Sequence, residues 1–305
     1  MHTRLRTIVM VGILVGGGVM LGSCQTSGKS GAAHGRLQVV AAENFWGSIV
    51  TQLAGDRADV RSIISDPAAD PHDYEATPQD ARLVAQAQYV VVNGIGYDAW
   101  AQKLVNGGGV SGRRVLDVGK LIGATVGGNP HQWYAPGTVD RFVARVATDL
   151  AALDPDDARY FEQRRAAFTT KGLAPYHDLI AEIRRQDSGT PVGASESIMA
   201  PMVSALGLDM KTPSSFLDAV AEGNEPTARD TARVTRQIDE REIDVFVYNS
   251  QNATPDVKRL VEAARAHDIP VTTVTETLSP AGATFQAWQV SQLRALRDAL
   301  DTART

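Results

Sequence analysis

Along the chain, short runs of continuous apolar residues alternate with segments in which apolar residues recur every three or four positions. The runs LQVVAA (Leu37 to Ala42), VRSII (Val60 to Ile64), YVVVNG (Tyr89 to Gly94) and RVLDV (Arg114 to Val118) read as strands with both faces covered. Helical patterns fall between them, over Phe45–Leu53 and from a Thr77 cap to about Ala87. Pro78 stands at the first helical position there and Asp80 at the third. From Gly137 to about Gln186 the strand signal vanishes. One helix ends near Leu153, and a second begins at Asp154 or Pro155, with Asp156 and Asp157 in its first turn. Run through to Gln186, that second helix would cover about 45 Å at 1.5 Å per residue, unless Gly172 and Pro175 break it. The alternation then returns, with strands over Pro191–Ser195, Ile243–Asn249 and Val271–Val274. Helices lie over Ile198–Leu206, Thr227–Arg241, Pro255–His267 and Ala283–Ala303. Trp288, Leu293, Leu296 and Leu300 of the last helix share one face and read as core.

Strands alternating with helices give parallel, doubly wound sheets. The expected fold class is α/β: two doubly wound α/β lobes joined by a long helical spine. The expected boundaries are residues 37–136 for the first lobe, 137–187 for the linking helices and 188–305 for the second lobe. Ligands of such lobes bind beyond the carboxyl ends of the strands, here in the cleft between the two.

The first 36 residues do not follow this pattern. Arg4 and Arg6 precede a 14-residue apolar run, Ile8 to Leu21, which is short for a membrane span and has the form of a secretory signal. Cys24, the only cysteine, stands where that signal ends, so an internal disulfide is excluded. LGSC resembles the lipobox of bacterial lipoproteins, which implies cleavage after residue 23 and acylation of Cys24. The Gly/Ser-rich stretch over residues 24–36 then reads as a flexible tether. These features place the body outside the cytoplasmic membrane, held by a lipid anchor. The net charge of −5 and dispersed basic residues give no sign of a nucleic-acid partner, and none is expected.

Only six histidines occur, and two share a local form. His72 lies in DPHDYEATP, directly after the strand VRSII, and His131 lies in GNPHQWYAP, before the helical middle. Each is preceded by proline and followed by a polar residue and an aromatic. The proline stiffens the approach, and the aromatic can shield the imidazole from water. Glu196 follows the strand PVGAS at once, and Glu276 comes two residues after VTTV. Four metal-capable side chains thus fall where loops can face one cleft. His2, His34, His177 and His267 read as solvent-facing. Ser195 lacks the G-x-S-x-G context of a nucleophile, and the glycine-rich stretches lack phosphate-loop spacing.

PHDYEATPQD, NPHQW, EGNEPT and the closing TET (Thr275 to Thr277) resemble the metal-binding receptors of bacterial ABC transporters for zinc and manganese. The resemblance runs from Leu37 to Leu300. It implies His72, His131, Glu196 and Glu276 as ligands of one divalent ion, Zn2+ or Mn2+, carried as cargo. It also implies a permease and its ATPase as partners of a monomeric receptor. Glu196 stands where zinc-type members commonly carry histidine and manganese-type members glutamate. Glu276 stands where manganese-type members commonly carry aspartate, so its carboxylate reaches one methylene further. Two imidazoles and two carboxylates without a thiolate argue against copper(I). Residues 76–130 contain no histidine, so the His-rich loop common in zinc-type members is missing. Two other readings use the same residues: an extracytoplasmic metal-dependent hydrolase, with a glutamate as base and an open metal position, and a metal-chelate receptor or adhesin.

Overall fold

The computed structural model describes residues 35–66 and 74–305. The leader, Cys24, most of the tether and His72 lie outside the described residues. In the first lobe, strands β1 (Leu37–Glu43), β2 (Ala58–Ile64), β3 (Tyr89–Val92) and β4 (Arg114–Asp117) form one parallel sheet in the order β2-β1-β3-β4. Helices α1 (Asn44–Ala54), α2 (Pro78–Gln86), α3 (Ala99–Asn106) and α4 (Val118–Ile122) connect and flank these strands. In the second lobe, β5 (Pro191–Ala194), β6 (Asp209–Met210), β7 (Val245–Asn249) and β8 (Val271–Val274) repeat that topology as β6-β5-β7-β8, again all parallel.

The lobes are linked by α5 (Pro136–Leu153), α6 (Ala158–Ala167) and α7 (Ala174–Asp187). Helices α8 (Ala200–Leu206), α9 (Ser214–Ala221), α10 (Ala228–Asp239), α11 (Pro255–Ala266) and α12 (Phe285–Ala303) complete the second lobe. The second linking helix is interrupted where Gly172 and Pro175 stand. Pro175 has no N–H to continue the ladder, and the turn over Phe168–Gly172 widens, with the Leu173 amide donating to the Phe168 carbonyl at 2.8 Å. The spine is therefore α5 followed by a broken α6–α7 pair, not one long rod.

Burial follows the sequence pattern. Val139, Phe142, Val143, Val146 and Leu150 form the inward stripe of α5, and Trp288, Leu293, Leu296 and Leu300 form that of α12. α12 crosses back from the second lobe and packs on α7 and α1. One apolar core therefore runs through both lobes beneath the cleft and includes Trp46, Trp133, Phe142, Tyr176, Phe285 and Trp288. Phe45 stacks on Trp133 with ring centroids 3.9 Å apart, and Trp46 meets Phe142 at 4.3 Å. Among the described residues, no helix is long and apolar enough to cross a membrane.

Candidate metal centre

In both sheets the chain leaves its first strand to one side and returns to the other. A crevice therefore opens between β1 and β3 in one lobe, and between β5 and β7 in the other. Strand register decides which side chains meet at the second crevice. Ala194 of β5 pairs with Val247 of β7, so Glu196 and Asn249, each two residues further on, sit level. Asn249 pairs with Val274 of β8, and Glu276 follows two residues later. All three side chains are buried.

The two glutamates are brought together by one carboxamide. Asn249 Nδ2 donates to Glu196 Oε1 at 2.8 Å and to Glu276 Oε1 at 3.0 Å. Asn252 Nδ2 donates to Glu196 Oε2 at 2.7 Å. The remaining oxygen, Glu276 Oε2, accepts from the Tyr97 hydroxyl at 2.9 Å, a bond that crosses from the first lobe to the second. Gln251 fixes the backbone beneath Glu276, its Oε1 accepting from the amides of Glu276 at 2.6 Å and Thr277 at 3.1 Å. Each carboxylate oxygen thus accepts from a neutral N–H or O–H donor, and such bonds favour the ionised form.

On the first lobe, His131 is fully buried beside these residues. Asn93, at the end of β3, donates through Nδ2 to the Pro130 carbonyl at 2.9 Å and accepts from Trp46 Nε1 at 3.0 Å, which anchors the NPH turn to the core. Asn129 Oδ1 lies 2.8 Å from the His131 amide nitrogen and 2.9 Å from its Nδ1. A carboxamide oxygen only accepts, so Nδ1 carries the ring proton and the lone pair resides on Nε2. Trp133 meets the imidazole edge-on at 5.3 Å and Tyr97 at 6.2 Å. Gly94 has φ +74° beside this turn, and a β-carbon there would meet Asp117 Oδ1 at 2.3 Å, so glycine is required.

The four expected ligands are therefore distributed as follows. Glu196 and Glu276 share a donor. Tyr97 stands by both sides, its hydroxyl on Glu276 Oε2 at 2.9 Å and its ring 6.2 Å from the His131 imidazole, and His72 lies outside the described residues. Among the described residues, no three His, Cys, Asp or Glu side chains gather closely enough to hold a metal. The two aromatics of the Pro-His motifs play different parts. Trp133 shields His131. Tyr74 instead pins the chain after His72, its hydroxyl donating to Asp80 at 2.9 Å and its ring resting on Trp100 at 4.8 Å. Burial, then Asp80, pushes the Tyr74 phenol up to about 12, so it remains a donor. Burial opposes ionisation of Asp80, but the Thr77 amide and hydroxyl and the Tyr74 hydroxyl outweigh it and hold the carboxyl below its usual range. His177 and His267 are half-exposed and lie near Asp140 and Asp239.

Tyr97, Asn249, Asn252 and Asn129 were not singled out from the sequence. The strand-end rule that selected Glu196 and Glu276 applies equally to Asn249, the last residue of VFVYN, and would have found it. A cavity of about 590 Å3 opens beside this constellation, lined by Tyr97, Asn129 and Pro130 from one lobe and by Ser197, Leu217 and Asp218 from the other.

Comparison with known proteins agrees with this architecture. The family described as zinc-uptake complex component A, periplasmic, matches residues 39–299. A metal ABC transporter substrate-binding lipoprotein, FimA of Streptococcus parasanguinis, is 32% identical over 159 residues, covering 48% of this chain and 51% of that protein. The manganese ABC transporter substrate-binding lipoprotein PsaA of Streptococcus mitis is 30% identical over 166 residues, covering 50% and 53%. The chain thus spans about half the length of the curated relatives it matches. A manganese-bound variant of a periplasmic metal-binding protein from Candidatus Liberibacter asiaticus superposes with a TM-score of 0.74 at 18% identity, over 87% of this chain and 100% of that one, and shares the fold. With the family match extending over nearly the whole two-lobe body, the chain belongs to the family described as zinc-uptake complex component A, periplasmic.

Proposed function

We propose that the protein is a lipid-anchored extracytoplasmic receptor that captures one divalent transition metal, Mn2+ or Zn2+, and delivers it to an ABC permease for uptake. The observation that carries this reading is the pair of buried carboxylates, Glu196 and Glu276, held by one Asn249 amide. Two ionised carboxylates this close repel each other, and a divalent cation neutralises both, which makes their burial tolerable. The ligands are Glu196 and Glu276 from the second lobe and His72 and His131 from the first, with His131 presenting Nε2. Cys24 carries the anchor.

The donor set offers two imidazole nitrogens and up to four carboxylate oxygens. It suits zinc as a closed four-ligand site and manganese when the carboxylates bind through both oxygens. Four protein ligands leave a tetrahedral ion no position for water, which separates this reading from a hydrolytic one.

The test is metal analysis of the protein purified from its native envelope, followed by competitive titration with Mn2+ and Zn2+. One bound ion per chain is expected, with tight binding lost in His72→Ala and His131→Ala and weakened in Glu276→Ala. Metal-free protein from a replete envelope, or turnover of ester or amide substrates by the loaded protein, would overturn it.

A further inference from the structure

We infer that Asn129 ties the ligating form of His131 to closure of the two lobes. The inference rests on the metal-receptor reading and deepens it. Asn129 lies on the wall of the inter-lobe cavity, and the two ends of its carboxamide serve different lobes. Oδ1 accepts from the backbone amide of His131 at 2.8 Å and from its ring Nδ1 at 2.9 Å. Nδ2 donates across the cleft to the Ser197 carbonyl at 2.8 Å, next to Glu196. The backbone beneath is also held, since Gln132 Nε2 donates to the Asn129 carbonyl at 2.8 Å and Thr138 Oγ1 donates to Gln132 Oε1 at 3.1 Å.

The orientation of the carboxamide follows from these partners. Reversed, it would set NH2 against the His131 amide and an oxygen against the Ser197 carbonyl. With Ser197 in place, only the observed orientation satisfies every group. That orientation keeps the proton on Nδ1 and the lone pair on Nε2, the nitrogen that binds metal when its partner nitrogen is engaged. Separation of the lobes removes the Ser197 carbonyl and admits water to the cavity. The His131 amide alone restrains the carboxamide only in part, and a neutral imidazole in water favours the proton on Nε2. Closing therefore sets the ring in its ligating tautomer, and opening releases it. Because the coupling is reciprocal, a metal on Nε2 also favours the closed cleft.

Two variants separate the two bonds. Asn129→Ala removes both. Asn129→Asp keeps an acceptor for Nδ1–H but places an anionic oxygen against the Ser197 carbonyl, so only the cross-cleft bond is lost. In the full-length, metal-free protein, nitrogen NMR of labelled histidine reads the tautomer. Amide hydrogen exchange over residues 126–131 and 197–200 reads closure. The wild type is expected to show the Nδ1–H form and slow exchange. Asn129→Ala should show mixed tautomers with exchange about tenfold faster, the size expected for one lost hydrogen bond. Asn129→Asp should keep the Nδ1 proton while exchange rises to a similar extent. Folded Asn129→Ala protein with wild-type tautomer and exchange would overturn the inference, as would Asn129→Asp protein with wild-type exchange. Failure of the receptor reading is seen separately, as wild-type protein that shows the expected tautomer and exchange yet binds neither Mn2+ nor Zn2+.

Discussion

Glu43 and Asp98 form a second buried acid pair, at the crevice of the first lobe, and replacing Asp98 by asparagine tests how it is held. Burial, then the neighbouring Asp98 charge, raises Glu43 well above the carboxylate range. Burial raises Asp98 from 3.8 to about 6, although the Asn93 and Gly94 amides donate to it at 2.6 and 2.8 Å. Both Glu43 carboxyl oxygens are buried without a hydrogen-bond partner among the described residues, an environment that favours the neutral, protonated form. A carboxyl whose folded pKa is raised keeps protons that the unfolded chain has already released, so stability falls as pH rises. For Asp98 the window opens near pH 4, where an unfolded aspartate ionises, and closes near pH 6. The shift is about two units at 1.36 kcal/mol each, or about 3 kcal/mol. Glu43 adds to it in the same direction. Asp98→Asn removes the titrating carboxyl itself and leaves the Glu43 contribution common to both proteins, so the Asp98 loss should largely disappear. At roughly 2–4 °C per kcal/mol for a body of this size, the gap in Tm between variant and wild type should widen by about 6–12 °C from pH 4 to pH 6.5. Calorimetric melts of both proteins in the presence of a chelator measure it. Asp80, with its pKa lowered, shifts stability the opposite way but is common to both proteins and cancels. Melting curves that stay parallel across this range would refute the raised Asp98 carboxyl.

Tyr97→Phe keeps the ring on Trp133 but removes the hydroxyl from Glu276 Oε2, which should cost the metal-free protein about 1.5–3 kcal/mol in urea unfolding, the range for a bond to a charged acceptor. Asn249→Ala strips the shared donor from both glutamates, and calorimetric titration should find Mn2+ and Zn2+ bound at least about tenfold more weakly. Thr77→Ala breaks the capping box with Asp80 at the start of α2 and should lower stability by about 1–2 kcal/mol, read from the denaturation midpoint. Cys24→Ala should move the protein from the membrane fraction to the soluble one without altering metal affinity, as fractionation and titration of both forms would show.

What the sequence revealed and what it concealed have physical causes. Strands covered on both faces read as unbroken apolar runs, so LQVVAA, YVVV and VFVYN were visible. β6, two residues long, carries too short a pattern to detect. α3 and α9 begin without a side-chain cap and α4 has five residues, so none of the three announces itself. Glu196 and Glu276 were visible because carboxylates at strand ends invite a chemical question. Asn249 and Tyr97 carry no charge, and their part depends on strand register and on a contact between lobes, which no local pattern encodes. Asn129 stood in a quoted motif, yet its bridge to Ser197 joins positions that are neighbours only in the folded chain.

The two lobes repeat one topology and place two acids at the corresponding crevice in each, but they treat the charge in opposite ways. In the first lobe, burial and mutual repulsion retain a proton on Glu43, whose two oxygens find no hydrogen-bond partner among the described residues. In the second lobe, amide and phenol groups donate to the carboxylate oxygens, an arrangement that stabilises ionisation of both acids. The same backbone plan thus yields a closed, proton-holding joint in one half and an anionic crevice in the other. The difference lies in Asn249 and Asn252, whose N–H groups reach the carboxylate oxygens of Glu196 and Glu276, whereas no donor among the described residues reaches the Glu43 oxygens.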